Sequence, residues 1–228
     1  MNAMTLPEFE RARFNMVEQQ IRPVGVFDAN VIDALFAVHR ELFVPPAFRN
    51  LAFADIEIPL QLGTVDTRQS MLSPKLEARL TQFLQLKHDD CVLEIGTGSG
   101  FMAALLAHRA QRVISLELDA ALVTQARANL QHAGIHNADV RVADGAKAVP
   151  NEGPFDVILL SGSVAEVPQN LLAQLKVGGR LVTVVGEEPV MRATIVTRTS
   201  ETGFTTTHPW DTVVPRLLNF PEPSHFHF

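Results

Sequence analysis

Residues 91–101 read Cys91-Val92-Leu93-Glu94-Ile95-Gly96-Thr97-Gly98-Ser99-Gly100-Phe101, and the order of residue types in this stretch decides the fold. The short apolar run Cys91 to Ile95 suits a strand buried on both faces. Three alternating glycines make a tight turn, and Phe101 to Arg109 carries apolar residues at helical spacing. Strand, glycine turn and helix in that order form the opening unit of an open α/β sheet.

The alternation continues downstream. A strand at Arg112 to Leu116 is followed by a helical pattern on Leu122, Ala126 and Leu130 that stops at Gly134. Strands are expected at Val140 to Ala143 and Asp156 to Leu160, then a helix near Gln169 to Leu175, then Gly178-Gly179 leading into a strand at Arg180 to Val185. Short apolar strands alternating with helices mean a parallel sheet covered on both faces. Met191 to Thr207 alternates apolar and polar residues around Glu201-Thr202-Gly203, as an antiparallel hairpin at the sheet's edge would.

Upstream, Phe9, Met16, Val17 and Ile21 share a helical stripe within Glu8 to Arg22. Val31, Ile32, Leu35 and Val38 form a second one, with Asp28 as N-cap. Arg40 to Ser73 is interrupted by Pro45, Pro46, Pro59 and Gly63 and reads as irregular chain wrapped over the core. A third helix starts where Ser73 is placed to cap and Pro74 enters the first turn, with Leu76, Leu80, Phe83 and Leu84 on one face. The expected fold is therefore α/β, a doubly wound, mostly parallel Rossmann-like sheet with an N-terminal helical extension and a C-terminal antiparallel hairpin. Residues 1–228 are expected to form one domain, with 1–73 as extension and 74–228 as the α/β core.

Composition agrees with a globular chain: 228 residues, 46% hydrophobic and 19% charged. A net charge of −6 argues against nucleic acid as a partner. The single cysteine, Cys91, cannot form an internal disulfide and is read as a small buried side chain at the head of its strand. No apolar run approaches the roughly 18 residues that span a membrane, and the N-terminus lacks the apolar core of a signal peptide. No membrane partner is expected, and the compartment is expected to be the cytoplasm. His208, His225 and His227 have no Cys partners and no helical His pair, so they read as a polar tail and no metal is expected. Trp210 reads as a packing residue.

The glycine turn suits a nucleotide, because a ligand can approach main-chain N–H groups and the positive end of the following helix. A dinucleotide loop wants Gly-x-Gly-x-x-Gly. Here position 101 is Phe, and the third glycine comes one residue early, at Gly100. Glu94, two residues before the first glycine, sits badly beside a pyrophosphate and well beside the sulfonium and ammonium of S-adenosylmethionine. Glu117, at the end of the next strand, is placed to accept from both ribose hydroxyls, and Asp144 from the adenine amino group. All three carboxylates fall at the strand ends where open sheets bind ligands.

Read with these features, Arg13-Phe14-Asn15-Met16-Val17-Glu18-Gln19-Gln20-Ile21 and Arg40-Glu41-Leu42-Phe43-Val44-Pro45 carry a resemblance. So do Gly153-Pro154-Phe155-Asp156-Val157-Ile158 and Gln174-Leu175-Lys176-Val177-Gly178-Gly179-Arg180-Leu181. Together they resemble the protein-L-isoaspartate O-methyltransferases over nearly the whole chain. The resemblance implies a class I methyltransferase fold and S-adenosylmethionine as cofactor. It also implies carboxyl O-methylation of isoaspartyl residues in damaged proteins, a step toward their repair. Its cofactor contacts carry to Glu94, Gly96, Gly98, Glu117, Asp144 and Gly145. With the neighbouring Thr97, Gly100 and Leu118, these make up the candidate cofactor site.

The acceptor segment departs from the family. Its usual Gln-Thr-Ile-Ser-Gln-Pro corresponds to Gln69-Ser70-Met71-Leu72-Ser73-Pro74, so the family serine falls on Leu72, and the usual proline before Arg40 is His39. Ser70 or Ser73 can supply the missing hydroxyl, unless Ser73 serves only as a helix cap. Leu72 leaves room for a rival reading, a methyltransferase for a small-molecule acceptor. A non-catalytic relative that only binds the cofactor is the further alternative. A carboxylate acceptor has a pKa of about 4 and needs no general base at neutral pH, which accounts for the lack of a paired acid and base.

Overall fold

The protein is described by a computed structural model over residues 4–147 and 150–222. Helix α1 (Leu6–Met16) starts at Thr5, whose N–H donates to the Glu8 carboxylate at 2.6 Å. It continues as wider turns through Val17–Ile21 and ends at Gly25, whose φ of +89° suits glycine. The Asp28 carboxylate caps α2 (Ala29–Ala37) by accepting the Asn30 N–H, as its position predicts.

The segment from Arg40 to Ser73 is more ordered than expected. Two short 3-10 helices, Arg40–Leu42 and Pro46–Leu51, lead into an antiparallel hairpin of β1 (Ile58–Leu62) and β2 (Val65–Met71). Its polar strand, Val65-Asp66-Thr67-Arg68-Gln69-Ser70, is largely unburied, so the apolar alternation that marks a strand is missing. Ser73 stands at the N-cap of α3 (Pro74–Leu84), but its hydroxyl makes no capping bond.

The core then runs β3 (Cys91–Ile95), α4 (Phe101–Arg109), β4 (Arg112–Glu117), α5 (Ala120–His132), β5 (Ala138–Val142) and β6 (Phe155–Val164). It ends with α6 (Gln169–Leu172), β7 (Leu175–Glu187), β8 (Val190–Arg198) and β9 (Phe204–Asp211). The helix expected over Gln169 to Leu175 is one turn long, because Leu175 already pairs with Phe155 of β6. Cys91 is half-buried rather than buried. Strand order is β5-β4-β3-β6-β7-β8-β9, parallel from β5 to β7 and antiparallel through β8 and β9. The edge hairpin is therefore present, and Trp210 on β9 packs against Phe83 of α3, with the Arg79 guanidinium 4.0 Å from its ring.

The two faces of the sheet are covered unequally. Val92, Val113, Val157 and Val182 pack beneath helices α1 to α5, the larger core. Leu93, Ile95, Ile114, Leu116 and Ile158 face the other way, under α6 and the chain after β9, where Phe220 is buried.

One buried side chain ties the N-terminal segments to this core. Arg40, 1% exposed, donates from Nε to the Ala52 carbonyl (2.8 Å), from Nη1 to Glu77 of α3 (2.6 Å) and from Nη2 to the Leu72 carbonyl (2.9 Å). Its guanidinium also lies 4.9 Å from the ring centroid of Phe101 on α4. Truncating it strands a buried carboxylate and two carbonyls. Arg40→Ala should cost about 3–5 kcal/mol of stability, read as a fall in the urea midpoint. A loss below about 1 kcal/mol would mean that water replaces the guanidinium at no penalty.

Candidate functional site

The carboxyl ends of β3, β4 and β5 open into a cavity of about 340 Å³, the size of a small-molecule site. Ile95, Gly96 and Gly98 come from β3 and its loop, Glu117 and Leu118 from the end of β4, Asp144 and Gly145 from beyond β5, and Ser161 from β6. Thr67 to Ser70 and Leu72 line one side, and Pro215 to Leu218 with Phe220 line another. The candidate set thus converges, except that Glu94, Thr97, Gly100 and Ser73 do not reach the cavity wall.

The loop is built on left-handed backbone, with φ of +94° at Gly96, +52° at Gly98 and +87° at Gly100. A Cβ at Gly96 would meet the Leu217 side chain at 2.9 Å, and one at Gly100 would meet Ala126 at 3.3 Å. The glycine N–H groups expected to face a ligand already have partners. Gly96 donates to the Leu116 carbonyl, Gly98 to the Glu117 carboxylate and Gly100 to the Thr97 carbonyl. What the loop offers the cavity is a surface free of side chains.

Glu94 lies beneath that loop, fully buried on the helix-covered face. Its two oxygens accept from the hydroxyls of Ser115 and Ser161, both at 2.7 Å, and the Thr97 hydroxyl bonds Ser115 in turn. The carboxyl is therefore one layer below the wall, joining β3 to β4 and β6. Burial pushes its pKa up to about 7, against the pull of the two serines.

Glu117, also buried, uses one oxygen for the Gly98 N–H at 2.9 Å and the other for the N–H groups of Leu118 and Asp119. A carboxylate has roughly four acceptor sites, so capacity remains for ligand hydroxyls. Asp144 accepts from the Ala146 N–H, the Asn219 amide and Lys147. Burial alone would raise its pKa; Lys147, Ala146 and Asn219 together hold it below the usual carboxylate range. Gly145 packs so tightly that a Cβ would lie 2.6 Å from Ile95. Two carboxylates, the bare Gly96 and Gly98 surface of the loop and apolar walls from Leu116, Leu118 and Phe220 fit S-adenosylmethionine.

On the acceptor side, Gln69, Ser70 and Leu72 line the cavity. Ser70 Oγ donates to Glu57 at 3.1 Å. Leu72 is buried, and its carbonyl is held by Arg40.

The remaining wall has no counterpart in the sequence reading. After β9 the chain turns back over the sheet as a strap. The Ser163 N–H donates to the Pro215 carbonyl at 2.8 Å, the Leu217 N–H to the Ser163 carbonyl at 2.9 Å, and the Ser163 hydroxyl to the Val214 carbonyl. Pro215 and the isolated apolar residues around it carry no periodicity, so only the burial of Val214 and Phe220 reveals that the strap is part of the core. Ser115 and Ser161 carry no signal in the sequence, where hydroxyls inside apolar strands read as incidental. Among the described residues no cluster of three or more His, Cys, Asp or Glu is grouped as a metal site requires. His208 bonds Thr194, and His225 and His227 lie outside the described residues.

Residues 12–213 match the family model described as protein-L-isoaspartate(D-aspartate) O-methyltransferase. A protein-L-isoaspartate O-methyltransferase of Syntrophobacter fumaroxidans is 41% identical over 188 residues, 82% of this chain and 86% of the relative. One from Methanoculleus marisnigri is 42% identical over 176 residues, 77% of this chain and 78% of the relative. Among solved structures, a protein-L-isoaspartate O-methyltransferase shares the fold with a TM-score of 0.76 at 24% identity, over 92% of this chain and 65% of that one. A Plasmodium falciparum candidate of the same type, holding S-adenosyl-L-homocysteine, shares it with a TM-score of 0.72 at 19% identity, over 91% and 96% of the two chains.

The buried Glu94 makes a pH-dependent prediction. Its folded pKa lies above the unfolded value, so its contribution to stability is fully present below pH 4.5 and is lost as pH rises through about 7. A cation bound above the loop favours the ionised form. S-adenosylmethionine should therefore bind more tightly to wild type as pH rises from 5.5 to 7.5, and this gain should vanish in Glu94→Gln, which keeps an acceptor for the serines. Calorimetric titration of both proteins checks it; equal slopes would assign the dependence to another group.

Proposed function

The chain belongs to the protein-L-isoaspartate(D-aspartate) O-methyltransferase family, and from that membership we propose that it methylates the α-carboxylate of L-isoaspartyl residues in damaged proteins. The enzyme is a methyltransferase, and its methyl donor is S-adenosylmethionine. The observation that carries the reading is the joint wall of one cavity. Strand-end acids suited to the cofactor share that wall with Gln69, Ser70 and Leu72, which correspond to the family's acceptor segment.

When bound, S-adenosylmethionine supplies an electrophilic methyl group. A C–O bond to the acceptor forms as the S–C bond breaks, giving a methyl ester and S-adenosylhomocysteine. In this reading Glu117 holds the ribose hydroxyls and Asp144 the adenine amino group. Gly96 and Gly98 let the donor lie against the backbone. Leu72, Leu116, Leu217 and Phe220 exclude water from a reaction in which a cation and an anion neutralise each other. A poorly solvated site favours such charge loss, since bulk water stabilises the separated charges of the ground state more than the partly neutralised transition state. Alignment of the two reacting atoms supplies the rest, and no base is needed. We take the chain as one working unit, with 1–73 on the acceptor side and 74–228 on the cofactor side. Two features support this: the cavity draws on both parts, and Arg40 bonds across their junction. No helix among the described residues is long and apolar enough to cross a membrane.

The test is methyl transfer from labelled cofactor to an isoaspartyl peptide and to its aspartyl twin, by wild type and by Leu72→Ser. Wild type should methylate only the isoaspartyl peptide. Leu72→Ser should raise the rate about tenfold if one charge-assisted hydrogen bond is gained mainly in the transition state. No turnover of the isoaspartyl peptide by either folded protein, with cofactor binding intact, would reject the repair function and favour a small-molecule acceptor.

A further inference from the structure

Among the described residues four charged ones line the cavity: Glu117, Asp144, Arg68 and Arg216. The two acids are engaged with backbone N–H groups and with Lys147 and Asn219. The two arginines are not spent in the same way. Arg68 lies in β2, at a φ of +57° that is uncommon for a residue with a side chain, and its guanidinium has no hydrogen-bond or ion-pair partner among the described residues. Arg216 lies in the strap between the two bonds that fasten it to Ser163. Its Nε meets Glu222 at 3.1 Å, but its Nη1 is shut off from solvent with no acceptor. That Nη1 lies behind the cavity wall; the guanidinium lining the cavity keeps one ion pair and has donors left for an arriving anion.

We propose that Arg68 and Arg216 together form a receptor for the carboxylate of the methyl acceptor, setting the enzyme's preference for an anionic acceptor. Two carboxylates enter this reaction, the cofactor's own and the acceptor's. Both arginines belong to elements outside the strand ends that carry the cofactor acids, and Arg68 shares its strand with Gln69 and Ser70 of the acceptor side. Holding one carboxylate oxygen leaves the other to attack. The ester formed has no charge, so the receptor binds substrate and loosens on product. This inference rests on the isoaspartyl reading of the acceptor.

Binding is measured with S-adenosylhomocysteine saturating the site, so that no turnover intervenes. A fluorescent isoaspartyl peptide is compared, by anisotropy, with its twin bearing a neutral α-carboxamide. Wild type should prefer the carboxylate by about tenfold or more, and Arg216→Gln and Arg68→Gln should each remove most of that preference, with Arg216→Lys restoring part of it. Affinity for S-adenosylhomocysteine should be unchanged in all three. Glu222→Gln, which breaks the strap's ion pair but keeps Arg216, should retain the preference. The proposal is overturned if wild type shows no preference or no binding, or if both glutamine variants keep the preference. It is also overturned if Glu222→Gln loses as much as Arg216→Gln, or if Arg216→Gln weakens the cofactor product instead. A wild type that prefers the carboxylate but does not methylate it would reject the repair function and leave the receptor standing.

Discussion

Gly96, Gly98 and Gly100 hold left-handed backbone conformations in a loop of five residues, and the geometry of the site follows from that constraint. The loop must drop from the end of β3 onto α4 while leaving its upper surface bare. The clash of a Cβ at Gly96 with Leu217 shows how little clearance lies between loop and strap. Satisfying the loop's N–H groups internally, through Leu116, Glu117 and Thr97, makes it rigid before any ligand arrives. Glu117 thereby both anchors Gly98 and forms part of the cavity wall.

Beneath the loop, polar side chains are concentrated where three strands meet. Glu94 is bonded by serines from its neighbours on both sides, so β3, β4 and β6 are locked in register at the end that carries the site. Around it, Arg40 does the equivalent for the covering segments, fixing Leu72 from behind by its carbonyl. Both groups are buried and hydrogen-bonded, the condition under which a polar side chain can be kept inside a core. The thin cover on the opposite face explains the strap. With only a one-turn helix between β6 and β7, Phe220 and Leu217 supply apolar cover that a longer helix would otherwise give, and in doing so close the cavity.

Much of this was legible in the sequence because the signals were local. Cys91 to Arg109 declared strand, turn and helix, Asp28 declared a cap, and the acids Glu117 and Asp144 fell at strand ends. What escaped depended on contacts distant in sequence. The β1–β2 hairpin is small and polar, so Val65 to Ser70 show no alternation. Leu175 continues a helical pattern in sequence, and only its pairing with Phe155 puts it in β7. Val214 to Phe220 have no period at all, and their place is set by Ser163, about fifty residues earlier in the chain. Glu94 falls behind the cavity wall because side chains alternate along β3, and its two serine partners come from β4 and β6, which local patterning does not bring together.

The glycine loop, the acids at the ends of β4 and β5, and the strap line a single cavity, which we assign to the cofactor. Hydrogen exchange with and without S-adenosylhomocysteine checks this assignment. Binding should slow exchange in three separated stretches, Gly96 to Phe101, Leu118 to Ala121 and Leu217 to Phe220, with α2 and the β8–β9 hairpin unaffected. Binding that protected the loop but left the strap unchanged, or that protected none of the three, would contradict it.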